Sequence, residues 1–347
     1  MNILIVKLSA IGDVIHTLPA LNAVREYYPD ANITWLVEED ASDIIEGHRS
    51  LDRVLISKRK RWIKGLLGSS WKNNIKEVVG FIRELRDTEY DLIITFQLLI
   101  KSGILIGLSR GKCKVGYGRG MEHMEHSYLF LNKRISPVGM DNHALLRGLM
   151  LLEAIGIKHR EIKFNIFVQD QDRNKINDLL KKHGIKKFKR LIAINPMAKW
   201  TTKLWSNAKF AELADSLIKQ SGTKVVFTGS KGDRKTIQNI ISCMKEDAIN
   251  LAGETSLKML ASLYEKINFL VSTDTGPMHM AAAVGTPVVA LFGPTAPWRT
   301  GPFGAGHHVI RANIKCSPCF KRQCKTNDCM NQISVKDVLD EIQKMEV

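Results

Sequence analysis

Short β-type runs alternate with amphipathic helical stretches along nearly the whole chain, and this alternation constrains the fold more than any other feature. The runs are ILIVKL, ITWLV, RVLI, DLIITF and CKVGY in the first half and LIAIN, KVVFTG, FLVST and PVVALFG in the second. Strands that alternate with helices in this way build parallel sheets covered by helices. The sequence therefore predicts an α/β protein with two similar, mostly parallel sheets.

The chain is long enough for two domains. It has 347 residues, of which 44% are hydrophobic, and this is enough to fill two cores. A stretch rich in Lys at 158–190 separates the two sets of strands. We therefore expect an N-terminal domain at 1–165, a C-terminal domain at 166–333 and a helix at 334–347, with Ser334 as its N-cap.

The charge balance favours an anionic partner. With 51 basic and 35 acidic residues the formal net charge is +16, which suits a lipid surface, a phosphorylated glycan or a nucleic acid and does not choose among them. No run of 18 uncharged apolar residues occurs, and Lys7 interrupts the opening stretch before a signal-peptide core could form. These patterns predict a cytoplasmic protein without a membrane span.

The turn after the first strand, LSAIGDVIHTLP, contains a carboxylate where many α/β proteins hold a nucleotide phosphate. It has one glycine, Gly12, followed by Asp13. A carboxylate would repel a pyrophosphate, so the turn does not suit a nucleotide phosphate. One role for Asp13 is to cap a helix that begins at Val14, and this role is compatible with a chemical one.

The turn STDTGPMHM in the second half has the features of an anion site. Gly276 allows close approach to the backbone, Pro277 suits the first position of a helix, and the helix would direct its free N–H groups at an anion. His279 would lie one helical turn further along, on the same face as Thr275 or Gly276. The alternative is an ordinary strand-to-helix turn with Asp274 or Thr275 as the cap.

Two further turns follow strands of the second half. NPMAKWTTKLWS includes Lys203, which can neutralise a diphosphate leaving group; the alternative is that its tryptophans pack and its lysines are solvated. FTGSKGDRK offers Ser230 and Asp233 for a ribose or phosphate, but such turns are common. Neither a P-loop nor a G-x-G-x-x-G between a strand and a helix occurs, so the sequence does not support a dehydrogenase or an ATPase.

Two clusters of residues each allow more than one role. From Arg49 to Lys76 the chain has nine basic residues and one acidic residue, and the run SKRKRWIK is either a solvated face or a contact with a membrane surface or phosphorylated acceptor. Near the C-terminus, four cysteines either hold a structural zinc ion or remain free or paired thiols, since the loop is tight for four tetrahedral ligands. These are Cys316, Cys319, Cys324 and Cys329.

Five stretches together resemble glycosyltransferase family 9, the ADP-heptose:lipopolysaccharide heptosyltransferases. They are ILIVKLSAIGDVIHTLPAL, ITWLVEE, KRKRW, AKWTTKLW and VSTDTGPMHMAAAVGTPVVALFGPT, and they span nearly the whole chain in order. The N-terminal half is most similar to heptosyltransferase I, whereas CSPCFKRQC is similar to a tail of other members. Ala10 departs from the family, which often has a second hydroxyl residue there.

The resemblance implies a GT-B fold, with two facing Rossmann-like domains, and inverting transfer of heptose from ADP-heptose to a Kdo or heptose of the lipopolysaccharide inner core. By motif, Asp13 matches the catalytic base and Lys203 the lysine that contacts the donor phosphates. We expect the C-terminal domain to bind the donor through Lys203, Ser230, Asp233, Asp274, Thr275, Gly276 and His279. We expect the N-terminal domain to bind the acceptor through Ser9, Gly12, Arg59 and Arg61.

The resemblance also implies a setting for the reaction. We expect a monomer that works at the inner-leaflet membrane surface on a Kdo-lipid A type of acceptor, without a required cofactor or catalytic metal and without a nucleic acid partner. One alternative is a family member with another sugar nucleotide or acceptor. A different class is a non-catalytic protein that binds polyanions through its net charge.

Overall fold

The computed structural model describes residues 1–65, 71–185, 188–220 and 222–345. The chain forms two compact units, Met1–Phe167 and Val168–Val347, where the sequence suggests a boundary after residue 165. Residues 346 and 347, the end of the predicted C-terminal helix, lie outside the described residues. Residues 186 and 187 of the Lys-rich stretch lie outside them as well.

The first unit alternates strands with helices from its first residues. Its strands are β1 (Asn2–Val6), β2 (Asn32–Glu38), β3 (Arg53–Ser57), β4 (Glu89–Thr95), β5 (Arg110–Tyr117) and β6 (Lys133–Ile135). Its helices are α1 (Ile11–Tyr27), α2 (Glu39–Ile45), α3 (Arg59–Gly65), α4 (Trp71–Arg86), α5 (Ile100–Leu108) and α6 (Ala144–Ala154), with a 3-10 turn at Ser127–Phe130.

The second unit repeats this pattern. Its strands are β7 (Arg190–Asn195), β8 (Thr223–Phe227), β9 (Ile249–Asn250), β10 (Phe269–Thr273), β11 (Val288–Phe292) and β12 (His308–Arg311). Its helices are α7 (Asp170–Lys182), α8 (Asn207–Ile218), α9 (Arg234–Ile241), α10 (Leu257–Tyr264), α11 (Gly276–Ala283), α12 (Pro297–Thr300), α13 (Asp328–Asn331) and α14 (Val335–Met345), with 3-10 turns at Thr201–Lys203 and Lys231–Asp233.

Both sheets are parallel, and they share one strand order. The first runs β3-β2-β1-β4-β5-β6 and the second β12-β11-β10-β7-β8-β9, with parallel pairing throughout the described ladders. Each order reverses direction beside the unit's first strand, between β1 and β4 and between β7 and β10. In open α/β sheets, ligands bind at this reversal, beyond the carboxyl ends of the strands.

Apolar side chains from the strands and helices fill a core in each unit. In the first unit Leu4, Val6 and Ile93 of the sheet pack with Phe81 and Ile106 from helices on one of its faces. In the second unit α8, α9 and α14 cover one face of the sheet, and the last helix contributes Val338 and Ile342. Rigid sheets of this kind fix the positions of the turns at their carboxyl ends.

The structure confirms all nine strands that the hydrophobic pattern predicts, and within the described ranges it adds three short ones. The added strands are β6, β9 and β12, of two to four residues each. All three lie at the edges of their sheets, where few apolar residues are needed, so their sequence signal is weak. Among the helices that the structure describes, none combines the length and apolarity needed to cross a membrane.

Candidate active site

The turns that carry the sequence motifs lie at the reversal point of each sheet. In the first unit the β1–α1 turn lies beside the segment that follows β4, since β1 and β4 are paired neighbours. In the second unit the segment after β7 and the β10–α11 turn are neighbours in the same way.

Asp13 is the third residue of α1 and is not its N-cap. The helix begins at Ile11 with Ala10 as N-cap, so the alternative of an N-cap at Asp13 before Val14 is wrong. The Ala10 backbone N–H donates to Asp13 Oδ2 at 2.9 Å, which is the carboxylate half of a capping box. Ala10 has no side-chain oxygen to complete that box. The Asp13 carboxylate thus lies in the first turn, where the helix dipole favours negative charge.

Lys7 accompanies this carboxylate. Its Nζ lies 3.7 Å from Asp13 Oδ1 and donates to the Phe96 carbonyl at 3.2 Å, so the ammonium group is held between the first turn and the segment after β4. The side chain of Asp13 remains 47% exposed, against 12% for Lys7. An exposed carboxylate oxygen beside a fixed cation can accept a proton from a bound hydroxyl group.

A cavity of about 270 Å³ opens beside Asp13. Its wall includes Lys7, His16, Tyr117 and Arg147 together with apolar side chains. Tyr117 donates its hydroxyl to the Arg147 carbonyl at 2.5 Å, and burial raises the pKa of Tyr117, which keeps it protonated. The cavity combines cationic and apolar walls next to a carboxylate, which suits a polar ligand with an anionic group.

A buried carboxylate, Glu38, ties Ser9 and Arg59 to one network. Lys101 Nζ donates to Ser9 Oγ and to Glu38 Oε1, both at 2.8 Å, and Arg59 Nε donates to Glu38 Oε1 at 3.1 Å. Burial would raise the pKa of Glu38, but the hydrogen bonds and charges of Lys101 and Arg59 outweigh it, so the pKa lies below its ordinary value. Ser9 and Arg59 are therefore brought together, as the sequence predicts for one site.

Two other predicted acceptor residues, Arg61 and Gly12, take no part in the Ser9 network. Arg61 pairs with Glu77 at 2.6 Å and lies 3.8 Å from Glu39, outside the Ser9 network. Gly12 is buried in the first turn of α1 and is not part of the cavity wall. Of the predicted residues in this unit, Asp13 thus lines the cavity, whereas Ser9, Arg59, Arg61 and Gly12 do not.

In the second unit, Lys203 and Asp274 form a shielded ion pair. Lys203 Nζ donates to Asp274 Oδ2 at 2.6 Å and to the Asp274 carbonyl at 3.3 Å. Thr295 Oγ1 donates to the same Oδ2 at 2.6 Å, and Lys203 lies 4.7 Å from the centre of the Trp200 ring. The predicted lysine and aspartate are thus in contact, and the carboxylate orients the ammonium group.

The predicted anion-binding turn begins α11. Thr275 is its N-cap, without a side-chain bond to the helix, and Gly276 and Pro277 are its first two residues. Of the two candidate caps, Thr275 thus occupies the N-cap position, whereas the Asp274 carboxylate binds Lys203. His279 is buried in the first turn. The N–H groups of this turn lie next to the Lys203–Asp274 pair.

Ser230 and Asp233 bond to each other. Asp233 Oδ2 accepts the Ser230 backbone N–H at 2.8 Å and the Ser230 hydroxyl at 2.6 Å, which caps the 3-10 turn after β8. The strand that precedes them, β8, is the neighbour of β7. Their turn therefore lies at the same carboxyl end of the sheet as the segment that carries Lys203. Ser230 and Asp233, both predicted to bind the sugar nucleotide, are thus hydrogen-bonded to each other.

The cysteine segment supports the loops around Lys203. The backbone N–H groups of Cys319 and Phe320 donate to the Pro294 carbonyl, and Thr202 Oγ1 donates to the Lys321 carbonyl at 2.8 Å. Within the described ranges, no three His, Cys, Asp or Glu side chains converge as metal ligands would. A metal at Cys316, Cys319, Cys324 and Cys329 stays a prediction.

Several residues of the site lie outside the motifs of the sequence. Glu38 and Lys101 are central to the network around Ser9, and Tyr117 and Arg147 line the cavity. A signal existed for Glu38, because it ends the strand in ITWLVEE, and for Lys7, because a lysine ends the buried opening run. Arg147 gives no such signal, since it lies in a helix remote from every motif.

Comparison with known proteins identifies the family to which this chain belongs. A lipopolysaccharide core heptosyltransferase, OpsX, from Haemophilus influenzae is 27% identical, with 98% of this chain and 96% of that protein covered. Lipopolysaccharide heptosyltransferase 1 of Pseudomonas aeruginosa is 29% identical, with 93% and 87% covered.

Among solved structures, E. coli heptosyltransferase WaaC with ADP superposes with a TM-score of 0.79 at 24% identity, covering 99% of this chain and 100% of that one. This likeness establishes the GT-B fold. The model of glycosyltransferase family 9 (heptosyltransferase) matches residues 78–330, most of the chain, including Lys203, Asp274 and the turn that begins α11. The chain therefore belongs to glycosyltransferase family 9 and is a glycosyltransferase.

Proposed function

We propose that this enzyme transfers heptose from ADP-heptose, with inversion, to a Kdo or heptose of the lipopolysaccharide inner core. Its relatives are named as lipopolysaccharide heptosyltransferases, and one solved relative is described with ADP. The observation that carries the proposal is the half-exposed carboxylate of Asp13, held beside Lys7 at a cavity in the first unit.

In the proposed step, Asp13 takes the proton of an acceptor hydroxyl group as its oxygen attacks the anomeric carbon of the heptose. The bond between that carbon and the diphosphate oxygen breaks on the opposite face, and ADP leaves with the electron pair. One carboxylate is sufficient for such a single displacement, which inverts the anomeric configuration. Lys7 keeps the Asp13 side chain in place.

The second unit stabilises the departing diphosphate in this proposal. Lys203 has three N–H donors, of which two are directed at Asp274, so the third is left for a phosphate oxygen. The N–H groups of the first turn of α11 supply further positive potential. In this scheme Lys203 and the helix contact the donor, whereas Asp274 positions Lys203. The scheme includes no metal step.

The first unit binds the acceptor in this proposal. Kdo is an acidic sugar, and the cavity and its surroundings present Lys7, Arg59, Lys101 and Arg147. Such a set of cations favours a carboxylate or phosphate ligand. We propose that the enzyme acts as a cytoplasmic monomer at the inner face of the cell membrane, where a lipid-anchored acceptor is available.

The test is to incubate the protein with ADP-heptose and Kdo2-lipid A and to measure the product by mass spectrometry. The expected result is the addition of one heptose, which is absent with Asp13→Asn. Transfer from another nucleotide sugar, or to another acceptor, would retain the reaction class and change the substrate. Salt-sensitive binding of polyanions that is unchanged by Asp13→Asn, without any transfer, would instead favour the non-catalytic alternative.

A further inference from the structure

Two helices of the first unit leave apolar rows uncovered. Each row has the i, i+4, i+8 spacing of one helix face. The six side chains are between 37% and 48% exposed, although large apolar side chains are usually buried. The row on α4 is Trp71, Ile75 and Val79, and the row on α5 is Ile100, Ile104 and Leu108.

The two helices are neighbours on one face of the sheet. Phe81 and Leu85 of α4 and Ile106 of α5 belong to the same buried cluster. Arg86 in the last turn of α4 donates to the Leu108 carbonyl at the end of α5 at 2.9 Å, so the two C-terminal ends lie side by side. The exposed rows therefore belong to one surface, which we name the α4–α5 face.

Basic side chains run beside the apolar row of α4. Lys72 and Lys76 each follow an apolar residue of the row, and Arg83 continues their line along the helix. The described residues of α3, α4 and α5 include nine basic residues, of which Arg59, Lys60, Arg61 and Lys101 pair with carboxylates. Among the residues that the structure describes, Lys72, Lys76 and Arg83 of α4 take part in no ion pair. The face thus combines exposed apolar groups with uncompensated positive charge.

This combination selects one kind of occupant. A second copy of the chain docked through the same face would bring two strongly positive surfaces together, which disfavours a two-fold dimer. A nucleic acid would satisfy the charges but would leave the apolar rows without a counterpart. An anionic bilayer satisfies both, because its interface accepts apolar side chains while lysines extend to the headgroups.

We propose that the α4–α5 face binds an anionic lipid bilayer and holds the enzyme at the membrane. The apolar rows enter the interface, and Lys72, Lys76 and Arg83 contact anionic headgroups. This surface names the site of the membrane association put forward under the proposed function. It does not depend on the identity of donor or acceptor, so the two proposals can fail separately.

The first test uses the full chain and vesicles that contain no lipopolysaccharide. Wild-type protein is expected to sediment with phosphatidylcholine vesicles containing about 30% phosphatidylglycerol, with weaker binding to phosphatidylcholine alone. Ile75→Ser with Ile104→Ser, and separately Lys76→Glu with Arg83→Glu, should each weaken binding about 10-fold or more. Met150→Ser is the matched control, since Met150 is also exposed, at 38%, but lies on α6.

A second test locates the contact with brominated lipid, which quenches tryptophan fluorescence at the interface. Trp71 and Trp298 are equally exposed, at 47% and 46%, and only Trp71 lies on the α4–α5 face. Trp71→Phe is expected to remove most of the quenching, and Trp298→Phe to leave it. Quenching that is lost with Trp298→Phe instead would overturn the assignment of this face.

Activity separates this proposal from the proposed function. The two double variants should transfer to a lipid-free acceptor at the wild-type rate, and Asp13→Asn should lose transfer while it still binds vesicles. Failure of the wild-type protein to bind any vesicle, or equal binding by both double variants, would overturn the proposal and leave a protein partner as occupant. Circular dichroism checks that each variant folds. If Ile75→Ser with Ile104→Ser does not fold, vesicle binding by Lys76→Glu with Arg83→Glu tests the proposal.

Discussion

At the scale of single residues, Asp13 has a structural role and, in the proposed function, a chemical one. Its Oδ2 accepts the Ala10 N–H, and its side chain stays half exposed beside Lys7. The two roles use different properties of the group: the N–H bond requires only an oxygen, whereas proton transfer requires a carboxylate. An amide side chain can therefore separate them.

We expect Asp13→Asn to lose transfer while it remains folded. The amide oxygen can still accept the Ala10 N–H, so the free energy of unfolding should fall by about 1 kcal/mol or less. Loss of the base should lower kcat by about 10³-fold. Initial rates and urea unfolding measure the two effects, with Asp30→Asn as the exposed control. Normal turnover by a folded Asp13→Asn would refute the assignment.

Two cysteines of the C-terminal segment differ in their environments. Backbone N–H groups of Asn327 and Thr326 donate to the Cys324 thiolate and lower its pKa, whereas burial raises the pKa of Cys329. Only the thiolate reacts with alkylating agents.

After reduction and chelation, we expect iodoacetamide to label Cys324 much faster than Cys329 at neutral pH. The rate at Cys324 should rise through a midpoint below the usual thiol value. Peptide mass spectrometry over time measures both sites in the same sample. Faster labelling of the buried Cys329 would contradict the arrangement.

At the scale of elements, Glu38 joins three parts of the first unit. It ends β2 and binds Lys101 of α5 and Arg59 of α3, and Lys101 also binds Ser9 in the turn after β1. The turn that carries Asp13 is thereby connected to helices far away in the chain. The carboxylate is almost fully buried, and the hydrogen bonds and charges of Lys101 and Arg59 outweigh the cost of burying its charge.

This network gives stability a defined pH dependence. The pKa of Glu38 is lower in the folded state than its ordinary value of 4.5, so its contribution is complete above that value and is lost as the pH falls through the folded pKa. Glu38→Gln should lower the free energy of unfolding by about 2 kcal/mol at pH 7 and by less in acid.

Urea unfolding between pH 7 and pH 3 measures this difference. Glu39→Gln is the matched control, since Glu39 is its neighbour in the chain and is half exposed. An exposed pair of this kind should change stability little at any pH. A Glu38→Gln effect that stays constant down to pH 3 would contradict the network.

The Lys203–Asp274 pair joins the segments after β7 and β10 in the second unit. Removing one partner leaves the other shielded from water and without a counter-charge, so Lys203→Met and Asp274→Asn should each cost about 3 kcal/mol of stability. The double variant should cost less than the sum of the two, by about 1–3 kcal/mol. It should still fail to transfer, because no ammonium group remains for the diphosphate.

Urea unfolding of the four proteins closes this double-mutant cycle. The exposed Lys336–Asp340 pair on α14 is the control, with an expected coupling of about 0.5 kcal/mol or less. Strictly additive losses at Lys203 and Asp274 would mean that their contact contributes nothing.

At the scale of the whole molecule, one strand order occurs twice and each unit has its candidate site at the same place in that order. The first has Asp13 beside the β1–β4 reversal, and the second has Lys203 and Asp274 beside the β7–β10 reversal. The same topology thus presents a carboxylate in one unit and an ammonium group with a helix N-terminus in the other. The difference lies in the turns, not in the sheets.

Nucleotide binding should therefore stabilise the protein selectively. At a concentration 100 times its Kd, ADP-heptose or ADP should add about 2.7 kcal/mol to the stability of the state that binds it. We expect a rise in Tm with ADP compounds and none with UDP-glucose, and a much smaller rise with ADP in Lys203→Met. Differential scanning fluorimetry measures these changes in Tm. A larger shift with UDP-glucose would contradict the proposed donor.

The sequence by itself determined the two parallel sheets, the turns that matter and the family. Strands and helices have different hydrophobic periods, and these are local, so the pattern shows β1, β7 and their neighbours before any contact is known. The residue types in the turns, Asp13, Lys203 and Gly276, likewise indicate chemistry by themselves. Short edge strands such as β6 have little pattern to show.

Only the tertiary structure decided the partners of each charge. Lys203 and Asp274 are 71 residues apart, and Lys101 reaches Ser9 across 92. The Asp13 cavity and the two apolar rows on the α4–α5 face are likewise formed by segments that are far apart in the chain. Such contacts depend on where the sheet order brings distant segments, because burial and ion pairing act between neighbours in space. A single sequence shows only neighbours along the chain.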